Sequence, residues 1–354
     1  MRKSVFAGFI AVAFFAAFSA SQLLAADNRE LEMRKEMVVR AQNYLFSIQK
    51  EGALGDARQK TVTSLFVLAS LSSGYLPCHP ERGPAIKAAS EWVLRNSSGA
   101  FLGGEEEPYA DHAMAALMLT ELVGTTGNVK LDTDLYSRAR QSAEYALGIQ
   151  NKGVDPQYYG GWCRSDKTRV NDRMLSAWCL YLLRAADLCG IEVPENSVTR
   201  AVEFVSASQK FEARGKPEEL GGFSVDAEGL TVRSTTAAGL AVLALFDSGN
   251  EKAISLARDW FVRHPARWYG PNFYEMNFFA VRGLYRTKHL DGGKAFKQYY
   301  NCLFQVLKER QEPDGSFPFP SGHGAPLLAM GNGYSTALAI LILNVDRGVI
   351  PMDK

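Results

Sequence analysis

The 354-residue chain is short of three things that mark whole classes of protein. Its five cysteines, Cys78, Cys163, Cys179, Cys189 and Cys302, are odd in number and include no Cys-x-x-Cys pair. That excludes a dense disulfide framework and leaves mostly ordinary buried thiols as the expectation. Charge of either sign is not in excess, with 39 basic against 38 acidic residues. Such a chain has no field to attract nucleic acid or anionic lipid, and no nucleic-acid-binding motif is present. Long apolar runs are scarce too: the first, Val5 to Phe18, is uncharged, follows Arg2 and Lys3 and precedes small residues that end at Asp27. This order predicts a secretory signal peptide over 1–26, cleaved after Ala20 or Ala26, and the run falls short of the roughly 20 residues that span a bilayer. The expected mature chain, 27–354, is a single domain without a transmembrane segment, secreted or periplasmic. Loss of Arg2 and Lys3 leaves 37 basic residues against 38 acidic ones.

What the chain does have is a repeat. A charged amphipathic helix, a Gly-rich aromatic loop and a helix apolar nearly all round recur about six times after residue 30. The amphipathic helices end at Gln49, Asn96, Gln150, Gln209, His264 and Gln311, with spacings of 47, 54, 59, 55 and 47 residues. Turns follow at Gly99-Ala-Phe101, Gly160-Gly161-Trp162, Gly221-Gly222-Phe223, Trp268-Tyr-Gly270 and Asp314-Gly-Ser-Phe317, whereas Glu51-Gly-Ala-Leu-Gly55 reads as a degenerate first copy. The second helices are expected to begin near Thr61, Tyr109, Asp172, Val232, Tyr274 and Tyr334. A helix without a polar face must be buried on both sides, so six of them alternating with six amphipathic ones predict an inner ring within an outer ring. The expected fold class is all-α, an α/α toroid of about six helical hairpins.

The segment Gln311-Glu-Pro-Asp-Gly-Ser-Phe317 resembles the Gln-and-aromatic repeat motif of the terpenoid cyclase and protein prenyltransferase superfamily, the squalene cyclase-like α/α toroids, with Phe317 in the usual Trp place. Weaker copies run from Gln150 to Trp162 and from Gln209 to Phe223, and Gly333-Tyr-Ser-Thr-Ala-Leu-Ala339 is similar to that superfamily's last inner helix. The resemblance covers nearly all of 30–345 and implies the toroid, with an isoprenoid-like or other hydrophobic ligand in its central cavity. It does not extend to the enzymes' chemistry. The Asp-x-Asp-Asp acid of type II cyclases is missing, its nearest approaches being Val225-Asp-Ala-Glu228 and Leu131-Asp-Thr-Asp134. The zinc set of the prenyltransferases and the Cys-Gly-Glu-Gln motif of thioester toroids are missing as well.

A glutamine at the end of an outer helix can bond backbone groups at the neighbouring helix start and stack against the aromatic, a structural role. Site residues are therefore sought at the inner-helix starts, which share one rim. Asp111 and His112 form an adjacent acid and imidazole suited to proton transfer, and Asp172 is a further acid that also fits an N-cap. These three are the catalytic candidates. Ligand-binding candidates are the aromatics Tyr109, Trp162, Tyr274 and Tyr334, the cations Arg173 and Arg233, and Glu275 with His323. Each also has a structural reading: His112 as wall packing, the arginines as partners of Asp172, Asp226 or Glu275, and the aromatics as seam plugs. Glu105-Glu-Glu107 reads as a solvated loop. No metal site is expected, since Cys163, Asp166 and His323 lack ligand spacing, and no cofactor is implied. Three functions stay open: an exported toroid that binds a hydrophobic small molecule, a carbohydrate-active hydrolase or lyase, and a non-catalytic module with an unknown protein partner.

Overall fold

The computed structural model describes residues 29–153, 159–168, 170–213, 215–225, 229–247, 249–270, 272–320 and 328–348. The expected signal peptide, Tyr158, Asp226, Glu228 and His323 lie outside the described residues. Among the described residues, twelve α-helices are arranged as six hairpins. The outer members are α1 (29–48), α3 (Gly83–Arg95), α5 (Val129–Gly148), α7 (Glu195–Ser206), α9 (Glu251–Arg263) and α11 (Lys294–Arg310). The inner members are α2 (Gln59–Ser72), α4 (Pro108–Leu122), α6 (Arg173–Leu188), α8 (Arg233–Phe246), α10 (Phe273–Arg286) and α12 (Gly331–Leu343). Each inner helix packs on the next and α12 packs on α2, so the ring closes. Among the described residues β structure is limited to isolated bridges in the loops. The fold is an α/α toroid, and none of the described helices is long and apolar enough to cross a membrane.

The inner helices are buried on all sides, as their composition demands: in α4 every residue from Asp111 to Leu122 is buried. Small residues bring them together. A Cβ on Gly283 of α10 would lie 2.7 Å from Leu240 of α8, and one on Gly239 would lie 2.4 Å from the Phe223 ring. The outer helices bury one stripe only, as in α7, where Ser197, Ala201, Phe204 and Val205 face inward.

The repeat is held by two devices that recur atom for atom. Gln49, Gln150, Gln209 and Gln311 each donate from Nε2 to a loop glycine carbonyl, at Gly52, Gly160, Gly221 and Gly315, and to a carbonyl of the next outer helix, at Ala85, Ser197, Ala253 and Met37. Those glycines have positive φ and abut that same helix; on Gly221 a Cβ would stand 2.0 Å from the Leu256 carbonyl oxygen. Only glycine fits such an approach. In the second device the plug residue of five of the six loops donates its N–H to a side chain one turn into the inner helix: Leu54 to Thr63, Leu102 to His112, Trp162 to Ser176, Phe223 to Thr236 and Phe317 to Thr336. The first unit is thus complete rather than degenerate, with Leu54 as its plug. Asn96 departs from the pattern, since its amide turns back to the Trp92 carbonyl of its own helix.

All five cysteines are free thiols, but only Cys179 is fully buried and Cys78 is exposed, so the expectation of mostly buried thiols fails.

Candidate functional site

A cavity of about 470 Å³ opens at the rim where the inner helices begin. It is lined from five of the six units, by Arg58 and Thr61, Glu106, Glu107, Ala110 and Met114, Arg164, Leu175 and Trp178, Asn272 and Glu275, and Met330 and Tyr334. Deeper in, the hollow is closed: Trp178 of α6 stacks across the ring on Phe278 of α10, with centroids 4.5 Å apart, and Tyr181 and Phe279 complete the cluster. This meeting of α6 and α10 leaves α8 without a residue on the cavity wall.

The helix caps build the rim. Arg58, Glu107, Asp172, Asn272 and Met330 each sit one residue before an inner helix. Arg58 and Asn272 hold left-handed backbone, φ 45° and 60°, two of three non-glycine residues with positive φ among the described residues. Asparagine adopts that conformation readily, whereas arginine does so at a cost of about 1–2 kcal/mol. Arg58 is kept there by its partners. Its Nε and Nη2 reach Asp111 Oδ1 at 2.8 and 2.7 Å, and its Nη1 reaches Glu107 Oε2 at 2.6 Å. Arg164 repeats the arrangement from the third unit, with Nε 2.9 Å from Asp172 Oδ2 and Nη1 2.7 Å from the same Glu107 Oε2. Burial opposes the charge on both guanidiniums, but the adjoining carboxylates outweigh it and hold both pKa values above the ordinary one.

Glu275 is the exception among the cavity acids held inside the ring. No ion pair reaches it among the described residues; its Oε1 accepts the Trp178 indole N–H at 2.5 Å. Burial, the largest effect, raises its pKa against the pull of Arg164 and the indole hydrogen bond, and the Asp172 charge adds to the rise. With Oε1 accepting, a proton taken up by this carboxyl would sit on Oε2. The wall around it is apolar or aromatic, from Met114, Leu175, Trp178 and Met330 to Tyr334, whose phenol burial holds neutral. A carboxylic acid facing such a wall can donate a proton or hydrogen bond into it.

The sequence candidates fall into three groups. Glu275 and Tyr334 line the cavity. Asp111 and Asp172 stand behind its two arginines, Asp111 also accepting from Thr61 at 2.6 Å and Asp172 capping α6 through the Leu175 N–H at 2.8 Å. The others serve the seams. His112 is 1% exposed, and both ring nitrogens are taken: Nδ1 accepts from the Leu102 amide at 3.1 Å and Nε2 lies 3.0 Å from the Ser142 carbonyl oxygen. Desolvation pushes its pKa down to about 4, so it is a neutral strut between α4 and α5 and has no nitrogen free for proton transfer to a ligand. Trp162 is fully buried and donates to the Ala146 carbonyl. Tyr109 receives no place on the cavity wall; its N–H donates to the Arg164 carbonyl, which positions that arginine's loop. Arg173 donates to the Val225 carbonyl and covers the Phe204 ring. Arg233 donates to the His264 and Pro265 carbonyls at the end of α9, and Tyr274 donates to the Pro318 carbonyl at 2.7 Å. Asp172, anticipated as a partner of Arg173 or Arg233, pairs with Arg164, and Arg58 pairs with Asp111. Glu107, read from sequence as part of a solvated loop, is the shared partner of Arg164 and Arg58.

No protein-family model matches the chain, and no curated protein matches it in sequence. Solved structures match over most of its length. An inactive variant of the α-1,6-mannanase of Salegentibacter sp. HEL1_6, in complex with α-1,6-mannotriose, is 11% identical with a TM-score of 0.61, covering 88% of this chain and 98% of that one. A type II terpene cyclase from Scytonema, in complex with merosterolic acid A, is 16% identical with a TM-score of 0.55, covering 92% and 99%. The GH76 α-mannanase of Bacteroides thetaiotaomicron is 13% identical with a TM-score of 0.53, covering 81% and 86%. At these identities the shared property is the fold, and it agrees with the terpenoid cyclase-like resemblance read from the sequence: the chain is an α/α toroid.

Proposed function

We propose that the chain is an exported toroid, 27–354 after removal of 1–26, whose central cavity binds a small molecule with an apolar or isoprenoid-like body and presents the Glu275 carboxyl to it. The observation that carries this reading is Glu275 itself, an acid without an ion pair on a wall of methionine, leucine and aromatic side chains. The two kinds of structural neighbour take unlike ligands, geranylgeranyl dihydroxybenzoate in the terpene cyclase and mannose oligomers in the mannanase, so fold alone does not choose between them. The side chains do. Glycoside hydrolysis asks for two carboxyl groups flanking the scissile bond, and here Asp111 and Asp172 are each clasped by an arginine.

Native mass spectrometry of the protein purified from its own export compartment tests the binding. A co-purifying apolar molecule that is lost when Met114 or Met330 is replaced by Glu supports the reading. Retention of a glycan, or a protein that carries nothing and takes up no isoprenoid alcohol, sinks it. N-terminal sequencing of the same sample checks removal of 1–26.

A further inference from the structure

We propose that Arg58 and Arg164 form a seat for an anionic head group, a carboxylate or a phosphate, on the ligand of the central cavity, and that Glu107 is an internal stand-in which this head group displaces. The proposal rests on the apolar-cavity reading above and adds the class of head group.

The two arginines come from loops of the first and third units and bracket the start of α4. Each is fastened from behind. Arg58 is held through Nε and Nη2 by Asp111, which is 1% exposed, and Arg164 through Nε by Asp172, itself fixed as the cap of α6. Each also extends Nη1 away from its aspartate, and the two Nη1 groups converge on one atom, Glu107 Oε2, at 2.6 and 2.7 Å. Two guanidinium forks preset by buried or capping aspartates and aimed at a single point form a receptor for an oxyanion. Both arginines line the same cavity as Glu275 and Trp178, so an anion held there has room for an apolar body beneath it.

Glu107 differs from the two aspartates in what fixes it. Its side chain is 30% exposed, belongs to the loop before α4, and makes no cap hydrogen bond although it occupies the cap position. Both of its ion pairs fall on one oxygen. Swinging it outward breaks only those two contacts, and a ligand monoanion restores both while leaving the net charge of the cluster unchanged. Glu106 lines the same cavity but pairs with neither arginine, which makes it the matched control.

Isothermal titration calorimetry with decanoate, decyl phosphate and neutral decanol tests the seat. Charge-assisted bonds to two arginines should make the anions bind about tenfold or more tighter than decanol, and Arg58→Gln or Arg164→Gln should each abolish that difference. Glu107→Gln should raise affinity for both anions several-fold and leave decanol unchanged, whereas Glu106→Gln, with the same change of charge, should raise it less. The stronger of the two anions identifies the head group. Equal binding of all three probes would overturn the seat and leave the apolar cavity standing; no binding of any probe would remove both. An E107Q protein with no gain, or no more than E106Q, would overturn the displacement. Should an arginine variant fail to fold, the E107Q and E106Q comparison still decides.

Discussion

His112 sets a pH-dependent share of the stability that can be worked out from its surroundings. Its Nδ1 must be unprotonated to accept the Leu102 N–H, and its pKa falls from the ordinary 6.5 to about 4 in the folded chain. Below pH 6.5 the unfolded chain therefore takes up a proton that the folded chain refuses, and stability falls as pH drops until about pH 4, where both forms are protonated. The difference between the two pKa values corresponds to about 3 kcal/mol, lost at up to about 1.4 kcal/mol per pH unit. Urea unfolding at half-unit steps from pH 7.5 to 4 measures it, with His112→Thr as the reference because threonine fills the same repeat position at Thr63, Thr236 and Thr336. The variant loses the ring contacts with Phe101 and Tyr145 and should be less stable by about 2–4 kcal/mol at pH 7.5. Its deficit should shrink toward pH 4, because wild type alone carries the His112 term. Parallel curves for the two proteins would refute the neutral-strut assignment. His112→Thr should also keep cavity binding, since the imidazole makes no part of the wall.

Glu275→Gln should raise the melting temperature at pH 7 and abolish any proton donation. The sign follows from a folded pKa above the unfolded one: the carboxyl is protonated in both states below about pH 4.5, and stability is lost as pH rises through the folded pKa. The gain should thus vanish near pH 4, and a gain independent of pH would contradict it. Gly221→Ala should cost about 3 kcal/mol or more in chemical denaturation, from its positive φ and a Cβ pressed 2.0 Å from the Leu256 oxygen, while Gly148→Ala, at the end of α5 with open space around it, should add about 0.5–1 kcal/mol. Gln209→Ala should cost about 1–3 kcal/mol by stripping the Ala253 and Gly221 carbonyls of their shared donor, with no loss of cavity binding; a neutral result in the same denaturation assay would remove the glutamine ties from the account of the repeat.

The rings could be read from the sequence because their determinants are local and repeated. Apolar composition all round identifies the inner helices, and Gln-to-glycine spacing marks the seams, as Gln150 and Gln209 bear out. The site was only half visible. Glu275 and Tyr334 stand at inner-helix starts, where the pattern points, yet Arg58 escapes it because the apolar run that marks α2 begins at Thr61, two residues after the helix does. Arg164 and Glu107 escape it for another reason. Their partnership joins positions 57 residues apart in loops whose composition alone looks solvated, and only closure of the ring makes them neighbours. The cap position before each inner helix, taken in register across the units, is the signal that would have picked out Arg58 and Glu107 together with Asp172. His112 misled for the opposite reason: acid beside imidazole suggests chemistry, but its register matches Thr63 and Thr236, residues whose task is to receive a loop amide.

Gln311 bonds the Met37 carbonyl across 274 residues, which means that the first helix waits for nearly the last one before its own flank is covered. Synthesis from the N-terminus leaves that seam gaping until Gln311 has emerged. Ring assembly should therefore be limited by this final docking and be slow, as folding governed by distant pairings is. Joining α12 to α1 and opening the chain at another seam would move the late step without altering the finished ring.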